Sequence, residues 1–101
     1  MDYIINLMDN CIKRQDDSMF FDKFETYEEY LKDDDYIEFM EISVINSKFE
    51  IFSFMIEKII EKEIFTIELL KSIIYLLDEY VYHENFSKIL IDLMKKVIEI
   101  F

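Results

Sequence analysis

The sequence predicts an all-α protein with one domain over residues 1–101, an irregular bundle of about five helices whose last three are antiparallel. Three observations support this fold class. Apolar residues recur at helical spacing along most of the chain, and residues typical of helix N-termini separate the apolar segments. A chain of 101 residues with 52% hydrophobic composition is also long enough to bury a core without disulfides or metals.

The first predicted helix covers 4–12 and ends near Lys13 and Arg14, because cations favour a helix C-terminus. Its apolar stripe consists of Ile4, Leu7, Met8, Cys11 and Ile12. Helical spacing continues from Phe20 to Leu31, where Thr26-x-x-Glu29 could start a new helix. The pattern does not fix that boundary.

The run Asp33-Asp34-Asp35 predicts the N-terminus of a helix over 36–45, since carboxylates cap free amides and oppose the positive end of the helix dipole. The side chains expected to face inward are Tyr36, Ile37, Met40 and Val44. A magnesium or calcium site is the alternative for the triplet. Adjacent residues on a helix point in different directions, so the cap and a solvated acidic surface are favoured.

Three regular helices are predicted in the C-terminal half, starting at Ser47, Thr66 and Asn85, which lie 19 residues apart. Ser47-x-x-Glu50 has the pattern of a capping box. Short connections would make these helices antiparallel neighbours. Two alternatives stay open: a helical-repeat solenoid, and a strand within 41–54, where β-branched residues occur.

Several function classes lack the residues they need. The chain has no glycine, so phosphate-binding loops are excluded. His83 could pair with Glu79, but two ligands make a poor metal site. Cys11 lies on an apolar stripe, far in sequence from His83, the single histidine and the base it would need. We therefore expect no enzyme, no catalytic residue, no metal and no cofactor.

A cytoplasmic location away from membranes is expected. Cys11 is the single cysteine, which fits a reducing compartment. The first residues have no cationic region before an apolar run, unlike a secretory signal. No uncharged stretch approaches the roughly 20 residues of a membrane-spanning helix.

Charge is concentrated in segment 16–41, which we call the acidic-aromatic segment. Its eleven carboxylates and two lysines give −9 of the total net charge of −12. The carboxylates belong to Asp16, Asp17, Asp22, Glu25, Glu28, Glu29, Asp33, Asp34, Asp35, Glu38 and Glu41. Seven aromatic rings belong to Phe20, Phe21, Phe24, Tyr27, Tyr30, Tyr36 and Phe39. The rings predict that the segment folds and holds its carboxylates in place.

A partner is expected to bind this segment, because tyrosines are frequent interface anchors and fixed carboxylates attract cations. The predicted partner-binding residues are Tyr27, Glu28, Glu29, Tyr30, Asp33, Asp34, Asp35, Tyr36 and Glu38. The partner would be a protein with a basic surface. Direct binding of nucleic acid is not expected, since a field of this sign repels phosphates.

The leading functional hypothesis is a protein inhibitor: an immunity protein or antitoxin that neutralises a toxin nuclease by covering its basic cleft. In general character the chain is similar to small acidic helical immunity proteins, a likeness of class that rests on no motif. A viral or phage inhibitor, such as an anti-CRISPR protein, is the first alternative. The second is a helical adaptor that binds a partner helix in an apolar groove. Its groove residues would be Phe52, Met55, Ile59, Leu77 and Tyr80.

Overall fold

Successive amphipathic helices account for most of the chain, as their apolar spacing predicts. The computed structural model describes residues 2–64, 66–78, 82, 84 and 86–100. Within these residues, the helices are α1 (Asp2–Lys13), α2 (Asp17–Tyr27), a short 3-10 helix (Glu28–Tyr30), α3 (Asp33–Ile45), α4 (Phe49–Glu61), α5 (Ile67–Leu77) and α6 (Phe86–Ile100). The predicted all-α, single-domain bundle is confirmed. The strand alternative for 41–54 is wrong, because α3 and α4 occupy that region.

The centre of the bundle is the pair α3 and α4, which make the most extensive helix contact among the described elements. Helix α1 packs against both α2 and α3, and α4 also contacts α6. One buried core joins α1 to α5 and comprises Met8, Cys11, Ile12, Phe20, Phe24, Leu31, Tyr36, Phe39, Met40, Val44, Phe49, Ile51, Phe52, Met55, Ile56, Ile59, Leu69 and Ile73. The relative direction of the last three helices stays a prediction.

Three helix ends are closed by residues in the left-handed conformation: Gln15 (φ 61°), Ser47 (φ 56°) and Glu63 (φ 57°). Glycine usually fills this position because it lacks the Cβ that strains other residues there. This chain contains no glycine. Each turn therefore carries a small local strain that the surrounding packing has to offset.

The predicted capping box at Ser47 and Glu50 is wrong. The Lys48 amide donates to the Ser43 carbonyl at 2.7 Å and the Ser47 amide donates to the Val44 carbonyl at 3.0 Å, a Schellman closure of α3. Ser47 thus ends one helix and does not start the next. The N-cap of α4 is Lys48, which makes no side-chain capping bond.

Other predicted helix starts have mixed outcomes. Thr66 is confirmed, because its Oγ1 accepts the Leu69 amide at 3.0 Å. Asn85 lies outside the described residues. Thr26 does not start a helix, since its hydroxyl donates to the Asp22 carbonyl within α2. The N-cap of α2 is Asp16, whose Oδ1 accepts the Met19 amide at 3.3 Å.

Candidate partner-binding surface

The acidic-aromatic segment forms α2, the 3-10 helix and the first two-thirds of α3. Most of its carboxylates face solvent, whereas those of Asp17, Glu28 and Asp35 are half-buried. The exposed ones belong to Asp16, Asp22, Glu25, Glu29, Asp33, Asp34, Glu38 and Glu41. The segment is folded and presents charge outward, so the remaining questions are which carboxylates lie together and which already have partners.

The rings of the segment build the core. Phe20 packs edge-on against Phe39, with ring centroids 5.4 Å apart. Phe24 contacts Tyr36 at 5.6 Å and Phe54 of α4 at 4.9 Å. Edge-to-face contacts of this kind add to the free energy of burial. The aromatic content of the segment therefore reflects packing between α2, α3 and α4 more than an interface.

Tyr36 is a core residue, which corrects its assignment as a partner-binding anchor. Its side chain is 0% exposed. Burial, followed by the nearby Glu28 and Asp33 charges, raises the pKa of its hydroxyl. Tyr27 is half-buried. Of the three predicted tyrosine anchors, Tyr30 remains available to a partner, with 58% of its surface exposed.

Lys58 of α4 and Lys62, the C-cap of α4, bind the region around the 3-10 helix. Lys58 Nζ lies 3.6 Å from a Glu28 carboxylate oxygen and 5.9 Å from the centre of the Phe24 ring. Lys62 Nζ lies 3.8 Å from an Asp33 oxygen and 4.5 Å from the Tyr36 ring centre. Such cation–ring contacts add to the ion pairs. Two of the predicted partner-binding carboxylates are thus partly neutralised within the molecule.

The Asp33-Asp34-Asp35 run lies in the first turn of α3, as predicted. Asp35 Oδ2 accepts the Lys32 amide at 2.8 Å, so this carboxylate caps the helix start. Among the described residues, no three His, Cys, Asp or Glu side chains converge as a metal ion requires. Helix capping therefore explains Asp35 of the triplet.

Three exposed carboxylates line the outer surface of α3: Asp34, Glu38 and Glu41, which we call the α3 row. Their spacing of four and three residues places them on one helix face, over roughly 10 Å. No described residue forms an ion pair with any of them. This row is therefore the part of the acidic-aromatic segment whose charge is best placed to act on a partner.

Asp9 of α1 adds a fourth acidic group beside the row, and no sequence pattern pointed to it. Its Oδ1 is buried and has no hydrogen-bond partner among the described residues. Burial, followed by the nearby Glu38 and Asp35 carboxylates, raises the pKa of Asp9 from 3.8 to about 6, while Lys13 opposes the shift. Asp9 is found only once α1 packs on α3, because its two carboxylate neighbours belong to another helix.

An open groove of about 450 Å³ adjoins the end of the row, between α3 and α5. Glu41, Ile45, Lys71, Ser72 and Tyr75 line it. Ile45 and Tyr75 are 79% and 80% exposed. The groove places an apolar and an aromatic side chain next to the last carboxylate of the row, which is the combination an interface anchor needs. No sequence pattern marked Ile45 or Tyr75 as a binding residue.

A second row of exposed carboxylates lies on α2 and the 3-10 helix, formed by Asp22, Glu25 and Glu29. It has the same number of charges at the same helical spacing as the α3 row. This α2 row therefore matches the α3 row in charge and spacing.

The remaining candidates from the sequence carry no site. Cys11 is buried and burial raises the pKa of its thiol, so it is a poor nucleophile. His83 and Glu79 lie outside the described residues. Phe52, Met55 and Ile59 are fully buried in the core and cannot line a groove for a partner helix. Tyr80 and the Leu77 side chain also lie outside the described part of the chain.

Within the described residues, no helix combines the length and the apolar character needed to cross a lipid bilayer. Comparison with known protein families, with curated proteins and with solved structures finds no match to this chain. A functional proposal for this chain therefore rests on the chemistry of its surface alone.

Proposed function

We propose that this protein is an inhibitor that binds a basic partner protein, with a toxin nuclease as the partner class. The observation that carries the proposal is the α3 row, in which Asp34, Glu38 and Glu41 are exposed on one helix face without an ion pair to any described residue. An immunity protein or antitoxin needs such a surface to cover the cleft that a nuclease uses for its substrate.

The spacing of the row supports this partner class. Successive carboxylates rise by roughly 6 and 4.5 Å along α3, within a factor of two of the roughly 3.4 Å per charge along a nucleic-acid strand. A cleft that holds phosphates with lysines and arginines would therefore meet carboxylates at comparable intervals. Charge complementarity of this kind accelerates association and makes it sensitive to salt.

The groove beside Glu41 supplies the apolar contribution to partner binding. Ile45 and Tyr75 offer area that a partner could desolvate, and such anchors control the dissociation rate more than charge does. The binding surface proposed from the structure thus runs from Asp34 to Tyr75. It overlaps the sequence prediction in Asp34 and Glu38 and replaces Tyr36 with Tyr75.

Co-purification of a tagged protein from its native host tests the proposal. The wild type is compared with the α3 row variant (Asp34→Asn, Glu38→Gln, Glu41→Gln) and the α2 row variant (Asp22→Asn, Glu25→Gln, Glu29→Gln), at about 50 mM and about 500 mM salt. Each variant removes three charges. We expect a basic nuclease to bind the wild type and the α2 row variant at low salt, and to be lost from the α3 row variant.

Two results would contradict the proposal. Equal loss of the partner from both variants would mean that net charge, and not the α3 row, governs binding. Retention of a partner by both variants at high salt would indicate an apolar interface and the adaptor hypothesis. Recovery of a phage-defence complex in place of a toxin would indicate that the same surface serves a viral or phage inhibitor.

A further inference from the structure

An apolar stripe on α6 faces solvent, although the apolar residues of a surface helix normally face the core. Ile91, Met94 and Ile98 recur at spacings of three and four residues and are 53%, 57% and 75% exposed. This stripe is separate from the α3 row and from the groove. Its three large side chains form a contiguous surface over about 10 Å of helix.

The charges beside the stripe lie in a self-complementary order. Lys88, Asp92, Lys95 and Glu99 are exposed along one flank of it. When two copies of a helix pair antiparallel about a two-fold axis, the same flank of each copy faces the other in reverse order. A two-fold axis near Met94 then places Asp92 opposite Lys95 of the second copy, and Lys95 opposite Asp92 of the second copy.

Other arrangements lose these opposite-charge pairs. In parallel pairing about a two-fold axis, the two copies of this flank lie on opposite sides of the helix pair and do not meet. An antiparallel pair shifted by about one turn brings Asp92 against Asp92, or Lys95 against Lys95. Like charges in contact oppose association, so the charge order selects one register. From this order we propose that α6 is a self-association surface whose occupant is α6 of a second copy, antiparallel and centred on Met94.

The size of the surface sets the strength of the dimer. One helix face provides much less than the roughly 800 Å² per partner of a standard stable interface. The net charge of −12 on each copy also opposes association. We therefore expect a dissociation constant above about 10 μM at physiological salt, where repulsion is screened beyond about 8 Å.

Sedimentation equilibrium from about 10 μM to about 1 mM protein tests the surface. We expect the wild type to dimerise with concentration, and Ile91→Gln with Ile98→Gln to remain monomeric. The matched control is Ile67→Gln with Ile74→Gln, which removes two comparably exposed isoleucines from α5. A wild type that stays monomeric at about 1 mM overturns the proposal, as does equal loss of dimer in the control.

Disulfide trapping tests the orientation. Met94→Cys lies next to the proposed two-fold axis and should form a covalent dimer under oxidising conditions, because disulfides require Cα atoms within about 7 Å. Ser87→Cys, near one end of α6, should not form one. Trapping at both positions would show parallel pairing and overturn the proposal. The buried Cys11 is common to both variants.

A charge swap tests the register. Asp92→Lys should weaken dimerisation, since it then faces Lys95 of the second copy. Adding Lys95→Asp should restore most of the wild-type association, because the pair is reversed on both copies. Failure of the double variant to recover would contradict the assigned register, while circular dichroism checks that both variants remain helical.

Discussion

Residues 28–33 and the outer surface of α3 are both strongly acidic, yet the fold treats them differently. Glu28 lies within 4 Å of Lys58 in α4, and Asp33 lies within 4 Å of Lys62 at the end of α4. The α3 row, a few residues further on, has no ion pair with any described residue. Both regions belong to the same segment, and only one of them keeps its charge available for a partner.

The difference teaches that the local density of acidic residues does not locate a binding surface. Cations from a distant part of the chain can turn an acidic stretch into a structural contact, as α4 does here. A partially exposed ion pair contributes about 1 kcal/mol or less, but several contacts together orient the loop and the rings below it. Four predictions follow from this contrast, from the largest effect to the smallest.

The largest difference in stability is expected between substitutions of the buried Tyr36 and the exposed Tyr30. Tyr36→Ala removes a fully buried ring that contacts Phe24, and should lower the free energy of unfolding by about 3–5 kcal/mol. Tyr30→Ala removes an exposed ring and should change it by less than about 0.5 kcal/mol. Urea denaturation of both variants measures the difference. Similar small losses would mean that Tyr36 is not a core residue.

The pH dependence of stability should report the unfavourable ionisation of Asp9 beside the α3 row. The pKa of Asp9 is raised in the folded protein to about 6, so between pH 4 and 6 the folded state binds a proton that the unfolded state does not. Stability then falls as the pH rises through that range. We expect the protein to be more stable at about pH 5 than at about pH 7.5, by up to about 1 kcal/mol after allowance for solvent screening.

Asp9→Asn is the variant that isolates this effect, because it removes the titrating group and keeps its size. Melting curves of Asp9→Asn should lose most of the pH dependence, whereas the exposed Asp22→Asn should retain it. An unchanged pH dependence in Asp9→Asn would assign the effect to general repulsion among the carboxylates.

A charge-matched pair of variants tests the contrast directly. Glu28→Gln with Asp33→Asn removes two carboxylates that contact lysines, and should lower the free energy of unfolding by up to about 1 kcal/mol. Glu38→Gln with Glu41→Gln removes two carboxylates of the α3 row, and should leave it unchanged or raise it by a few tenths of a kcal/mol. Chemical denaturation at low salt measures both. A reversed order would refute the assignment of which region is neutralised.

The smallest expected effect concerns the turn between α3, which carries the row, and α4, which carries the lysines. Ser47→Gly should stabilise the protein by about 0.5–1 kcal/mol, because Ser47 has a positive φ that glycine adopts without strain. The opposite sign is expected for Ser72→Gly, which lies inside α5. If Ser47→Gly destabilises the protein, the left-handed closure of α3 is wrong.

Helical periodicity predicted the existence of the helices well, because apolar residues at this spacing share one face, and can pack into a common core, only when the segment is helical. The stripe from Ile4 to Ile12 lies on α1, and the cap at Thr66 is confirmed. The boundary at Ser47 was wrong. Ser-x-x-Glu matches a capping box locally, but closure of the preceding helix required Ser47 in the left-handed conformation, in a chain that has no glycine to offer.

The candidate surface was predictable in part. The local charge of segment 16–41 pointed to the α3 row, including Asp34 and Glu38. Tyr36 was misplaced because an aromatic ring among acids has the same local pattern whether it faces solvent or core. Ile45, Tyr75 and Asp9 were missed because each gains its role from a neighbour on another helix.

The amino-acid sequence by itself determined the helical class, the amphipathic faces and the total charge, since these follow from spacing and composition along the chain. Tertiary structure alone decided which carboxylates meet lysines, which meet another carboxylate and which stay open to a partner. The physical reason is distance. Electrostatic interactions and burial depend on separations of a few ångströms between groups that lie far apart in sequence, and only the packing of α1, α3 and α4 sets those separations.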